Sequence, residues 1–211
     1  MNIVIAGAGT YGAVYHHYLE ELNQYKIFGY VDDNPEKIGR YFSDLPIICK
    51  TTDFQKLKEH DVEGVFCPIG NNKIRRKLLR QYLDYGFHVP NYIHNSVIIP
   101  NDIKIGQGVY ILPGSIIMPF VEIRDFVMIS MGVKVAHHTI LDEGAFLSTG
   151  ANIGANINFG ECAFAGIGST VTTGVERIGR YSTIGAGAVI IKNIDDNQVF
   201  AGNPGRLLKD Y

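Results

Sequence analysis

Two adjacent histidines, His137 and His138, are the side chains best suited to chemistry in this sequence of 211 residues. An imidazole is uncharged over much of the neutral range and can take a proton from an attacking amine or hydroxyl, so a histidine is the usual general base for such a step. A pair of exposed polar residues at a chain corner would read the same way. A hydrating zinc centre asks for more, three histidines around one ion, and no histidine follows His138. A second candidate is GAGTYG, residues 7 to 12, directly after an apolar run. Glycine lets backbone approach a phosphate closely, which makes Thr10, Tyr11 and Gly12 candidate ligand contacts, although a purely structural turn has the same letters. Asp32 and Asp33 lie about 20 residues further on, the distance at which an acidic residue meets a ribose in dinucleotide-binding folds. Gly70 opens a third such segment, Gly70-Asn71-Asn72.

Elements that could hold these residues differ between the two halves of the chain. Residues 1–91 alternate strand and helix signals. The spacing predicts strands over 2–6, 25–31, 45–49 and 64–69, with helices over 11–22 and 74–85. Such alternation implies a mostly parallel sheet, whose ligands sit outside the carboxyl ends of the strands, where all three segments fall. A unit of about 90 residues offers one mononucleotide-sized crevice. The expected ligand is therefore a nucleotide, with Asp32 or Asp33 accepting from base or ribose and Gly70 close to the ligand. A nicotinamide-dependent oxidoreductase would need a second catalytic α/β domain, which the remainder does not suggest. The basic run Lys73, Arg75, Arg76 and Lys77 reads as a solvated helix face.

From residue 93 an interval of six replaces the helical period: Ile93, Ile99, Ile105 and onward without a miss to Phe159, Ala165 and Val171. After a slip of one residue it resumes at Ile178, Ile184 and Ile190. With 46% of residues apolar, fourteen consecutive hits in one frame arise by chance about once in 50,000. A second column four residues later is small or β-branched, as at Val109, Ser115, Val121, Thr139, Ala151 and Ser169. Two inward residues in six, with glycine recurring just after the first, describe a short strand and a tight corner, the grammar of a parallel β-helix over 92–211. His137 and His138 fall between the inward columns. Solenoid ends need caps, and the tail AGNPGRLLKDY is suited to one of them.

Composition narrows the partners. A formal charge of −2, from 19 basic and 21 acidic residues, offers no general attraction to nucleic acid or anionic lipid. Three scattered cysteines without metal-type spacing read as reduced thiols, which favours the cytoplasm. The start MNIVIAGAG lacks a basic leader, and no apolar run approaches membrane length, so neither export nor a membrane span is expected.

The six-residue period and the ending GAGAVIIKNI…VFAGNPGR resemble the hexapeptide-repeat acyltransferases. GAGTYG, VDDN and IGNNKIRRKL leading to NYIHNSVII are similar to bacterial N-acetyltransferases of nucleotide-linked 4-amino sugars and to sialic-acid O-acetyltransferases. The resemblance covers essentially the whole chain. It implies a Rossmann-like domain that holds the nucleotide-linked sugar, then a left-handed β-helix that binds acetyl-CoA between subunits of a homotrimer, without a metal. It further implies His137 as general base, and Phe146, Ile167, Gly185 and Ala186 as coenzyme A contacts, although rung packing explains Ile167 equally well. Three positions depart from the pattern: Tyr11 and Phe146 stand where relatives carry histidine, and His138 where they often carry a glutamate that orients the base. The implied reaction is acetyl transfer to a sugar amine; transfer to a sugar or sialic-acid hydroxyl needs the same base, and a noncatalytic β-helix scaffold would need none.

Overall fold

The computed structural model describes residues 1–22 and 24–210. It divides into two compact units, Met1–Pro90 and Asn91–Tyr211. The first contains β1 (Asn2–Ala6), α1 (Thr10–Glu21), β2 (Lys26–Val31), β3 (Tyr41–Phe42), β4 (Leu45–Cys49), α2 (Phe54–Glu59), β5 (Gly64–Phe66) and α3 (Asn72–Asp84). The sheet order is β3-β4-β2-β1-β5, parallel throughout except for the hairpin partner β3. Ile3, Val4, Ile5 and Ala6 are fully buried, as an unbroken apolar run in a parallel strand should be. The chain builds outward from β1 to β2 and β4, then returns to the other side of β1 with β5. That reversal opens a crevice at the carboxyl ends of β1 and β5.

The hairpin strand β3 and the short helix α2 are additions to the sequence reading. Asp53 caps α2 through Lys56 N, and Phe54 and Leu57 bury its inner face. β5 ends at Phe66, three residues before its expected end, because Pro68 has no N–H for a sheet ladder. Asn71 caps α3, its side chain accepting from Ile74 N at 3.1 Å, which starts that helix two residues early.

The second unit is a left-handed parallel β-helix. Its strands are two residues long and pair with strands 18 residues away, as in Lys104↔Glu122↔Ile140↔Asn158. Three six-residue repeats therefore make one coil, and three parallel ladders make a prism. Both inward columns meet in one core from Val109 to Phe200. The slip lies between Val171 and Ile178: partners become 19 apart, and Thr173 bridges to Val175 around Gly174 at φ +100°. Once per repeat the backbone turns through the left-handed region, at Phe120, Phe126, Gly132, His138, Gly144 and so on. The glycines that follow the first column serve a different need. A Cβ on Gly166 would lie 2.6 Å from Ala186 N and 2.7 Å from Ile184 O in the next coil, closer than real contacts permit. Gln198–Ala201 continues the ladder, and Arg206–Asp210 folds back antiparallel to close it. Among the described residues no helix is long and apolar enough to cross a membrane.

Candidate active site

His137 and His138 form one prism corner, between the strands Lys134–Val135 and Ile140–Leu141. His138 takes the left-handed conformation at φ +59°. Adjacent coils fix this corner. Asn156 N donates to His137 O at 3.1 Å, and buried Thr139 donates to Gly154 O at 2.8 Å while accepting from Ile157 N at 3.2 Å. Phe120, 18 residues earlier, lies over His138 with ring centroids 4.7 Å apart and planes tilted by 34°. The two imidazoles meet through their Nδ1 atoms, 3.0 Å apart. His137 is half-buried and His138 exposed. Among the described residues no three His, Cys, Asp or Glu side chains gather as metal ligands do.

The face before this corner is not smooth. Met118, Lys134, Ala136, Asn152, Gly154 and Thr173 line a cavity of about 330 Å³ on it. On the far side of that face stands a corner whose left-handed positions are all glycine: Gly114, Gly132, Gly150, Gly168 and Gly187. A Cβ on any of the five would project into open space. Ile167 and Ala186 belong to this corner, one coil apart, with Gly187 N donating to Ile167 O at 2.8 Å. Ile167 is 61% exposed. Gly185 N donates to Phe200 O in the next rung of the ladder at 2.7 Å, and Phe146 packs edge-on against Phe164 on the neighbouring face. Ile167 and Ala186 and the histidine pair thus occupy different corners of one chain that border a shared face, while Phe146 lies on the next face.

In the first unit, GAGTYG forms the expected turn. Gly7 lies at φ +101°, and a Cβ on Gly12 would lie 2.1 Å from Gly7 O, so α1 can start this close to β1 only with glycine there. Gly9 caps α1 without a side-chain hydrogen bond, and Thr10 is exposed beside it. Tyr11 leans edge-on against Tyr15. Asp32 braces the turn: Oδ2 accepts from Ala8 N at 3.0 Å and Lys37 Nζ at 2.9 Å, and Oδ1 accepts from Asn34 N at 2.9 Å. Burial by itself would raise the Asp32 carboxyl, but these donors outweigh it and hold the group below the ordinary carboxylate value. Its support of the turn is therefore complete at neutral pH and is lost as pH falls through that lowered value. Asp33 is freer. Thr51 N and Oγ1 both bind its Oδ1, at 2.9 and 2.7 Å, which leaves Oδ2 for a ligand. Gly70 has open space where a Cβ would stand.

The basic run on α3 needs correction. Lys73 and Lys77 are exposed, but Arg75 is fully buried and donates to Ile69 O at 2.9 Å and Asn72 Oδ1 at 3.0 Å. It braces the loop before Gly70. A sequence signal was present, since Arg75 shares a helical stripe with buried Leu78, Leu79 and Tyr82. Lys37 and Thr51 were not foreseen either, and local spacing gave no sign of them. Phe120 could have been found from the coil period, 18 residues before His138.

Residues 2–82 match the family model described as the PglD N-terminal domain. Over 98% of both chains, the structure is similar to the acetyltransferase domain of PglB from Neisseria gonorrhoeae FA1090 in complex with acetyl coenzyme A, at TM-score 0.89 and 28% identity. PerB from Caulobacter crescentus, in complex with CoA and GDP-perosamine, is similar over 99% of this chain and 98% of its own, at TM-score 0.84 and 27% identity. A putative acetyltransferase of Saccharomyces cerevisiae, YJL218W, is 28% identical over 191 residues, spanning 81% of this chain and 86% of the yeast protein.

Proposed function

We propose that this chain, an acetyltransferase of the hexapeptide-repeat sugar acetyltransferase family, moves the acetyl group of acetyl-CoA onto the amine of a nucleotide-linked amino sugar. The observation that carries the reading is likeness over both units at once to PerB, whose structure contains both CoA and GDP-perosamine. His137 serves as the base. As the neutral amine nitrogen bonds to the thioester carbonyl carbon, His137 takes a proton from it. The carbon–sulfur bond then breaks, and the departing coenzyme A thiolate recovers that proton from the imidazolium. No covalent enzyme intermediate is needed. The cytoplasm, where acetyl-CoA is made, is the compartment that suits this chemistry, and surface-glycan biosynthesis is a pathway that consumes such products.

The sugar nucleotide is assigned to the first unit, with phosphates against the uncapped start of α1 at Thr10, Tyr11 and Gly12. Asp33 Oδ2 accepts from base or ribose, Gly70 lies against the ligand, and Asp32 supports the turn. A panel of UDP-, GDP-, CMP- and dTDP-sugars, each with and without acetyl-CoA, tests this by thermal shift, because a ligand held by the native state raises its stability. Stabilisation by NAD and by no sugar nucleotide would overturn it. Asp33→Ala and Gly70→Ala should raise the sugar-nucleotide KM more than they lower kcat, the pattern of lost uniform binding. Gly70→Ala is the cleaner probe, since the added methyl meets no protein atom. A normal KM in both variants moves the nucleotide elsewhere.

Coenzyme A is assigned to the glycine corner, along Ile167, Gly185 and Ala186, with Phe146 on the adjoining face. One chain keeps this corner apart from His137, which supports a homotrimer whose neighbouring subunits bring the two together. Light scattering should return about 70 kDa, three times the chain mass of 23.3 kDa. A stable monomer at micromolar concentration would remove this arrangement of the site.

A further inference from the structure

We infer that His138 is a positioning residue whose Nδ1 accepts the hydrogen on His137 Nδ1, fixing the tautomer in which His137 Nε2 holds the free lone pair. This inference rests on the reading of His137 as the base. The Nδ1 atoms lie 3.0 Å apart and the ring planes stand at 88°. At that distance two imidazole nitrogens share one hydrogen: two lone pairs would repel, and two N–H groups would collide. Two arrangements satisfy the contact. If His138 donates, His137 carries its own hydrogen on Nε2, and its one lone pair is spent on His138. If His137 donates, Nε2 is the basic nitrogen and is free to receive the substrate proton. Only the second gives a working base.

The corner holds the His138 ring in place beside His137. Phe120 stacks on its ring, and Thr139, the next residue, is tied to the following coil through Gly154 and Ile157. When His137 Nε2 takes a proton, the ring becomes an imidazolium and its bond to neutral His138 becomes charge-assisted, which strengthens it. The stacked corners, Pro119–Phe120 above and Ala155–Asn156 below, carry no titratable group. Glu122, which follows Phe120 by two residues and pairs with Ile140, Lys134 on the preceding strand, and Asp102 two coils up are the charged residues around the corner in the coil register.

Three variants and one spectrum test this. His138→Gly removes the acceptor while suiting φ +59°, as Gly132 and Gly144 do at neighbouring corners, so its melting temperature should match that of the parent. Its kcat should fall about 10- to 100-fold, the usual cost of removing the partner that orients a functional histidine, with the acetyl-CoA KM unchanged. His138→Asn keeps an acceptor oxygen and tolerates the left-handed backbone. It should recover most of the lost kcat. Nitrogen-15 NMR of histidine-labelled, ligand-free protein should show His137 protonated at Nδ1 and unprotonated at Nε2, with that preference lost in His138→Gly. Parental kcat in His138→Gly, or an Nε2–H tautomer on His137 in the parent protein, would overturn the inference. Near-parental kcat in His137→Ala would instead overturn the base reading beneath it, so the two failures are distinguishable.

Discussion

His137→Ala should lower kcat by roughly 10²–10⁴-fold, the range for loss of a positioned general base, while leaving acetyl-CoA affinity and melting temperature close to those of the parent. The selectivity follows from where the side chain sits. His137 is a half-buried corner residue outside the apolar core, so truncation opens no cavity there, and large stability losses come from cavities, strain or buried unpaired groups. The backbone that fixes the corner is untouched, because Asn156 N bonds to the carbonyl of His137 and not to its ring. The decisive comparison is single-turnover and steady-state kinetics with a sugar nucleotide identified by thermal shift. Turnover near that of the parent would reject His137 as the base. Equal loss of kcat, acetyl-CoA affinity and melting temperature would point to collapse of the coil.

Features governed by a fixed period were legible in the sequence, and features governed by stacking between coils were not. The interval of six identified the inward columns from Val109 to Ile190 and the position of the one-residue slip, because a prism interior admits side chains only at that spacing. The Nδ1 contact of His137 and His138 could not be read, since it depends on rotamers held by Phe120, a full coil away. In the first unit, the apolar run of β1 and the glycines of the first turn marked the crevice. The letters around Asp32 could not reveal that its Oδ2 is already occupied, since that depends on Ala8 N and Lys37 Nζ meeting it across the turn, at 3.0 and 2.9 Å. Arg75 shows a different failure: four basic residues in five suggested a solvated face, and the chemistry of the letters outweighed a helical stripe that was visible beside them.

Phe159→Ala should destabilise the β-helix by about 3–5 kcal/mol, as expected for phenylalanine truncation in a core that cannot close over the gap. Phe159 is fully buried, stacked between Leu141 and Ile178 in the same ladder. The ladder bonds around it run between coils and not through its side chain: Asp142 N to Phe159 O and Gly160 N to Ile178 O, both 2.8 Å. They keep the coil walls at fixed spacing, so the emptied volume remains as a void whose lining has lost its dispersion contacts. Phe159→Leu, which keeps most of the volume, should cost far less. Because each coil is stabilised mainly by its neighbours, the weakened coil also lowers the barrier to separating the solenoid at its middle. The midpoint in urea, followed by far-ultraviolet circular dichroism, should fall for Phe159→Ala with little change for Phe159→Leu. Equal midpoints for Phe159→Ala and the parent would mean that the first column does not fill the prism interior, and the six-residue reading of the second unit would fail with it.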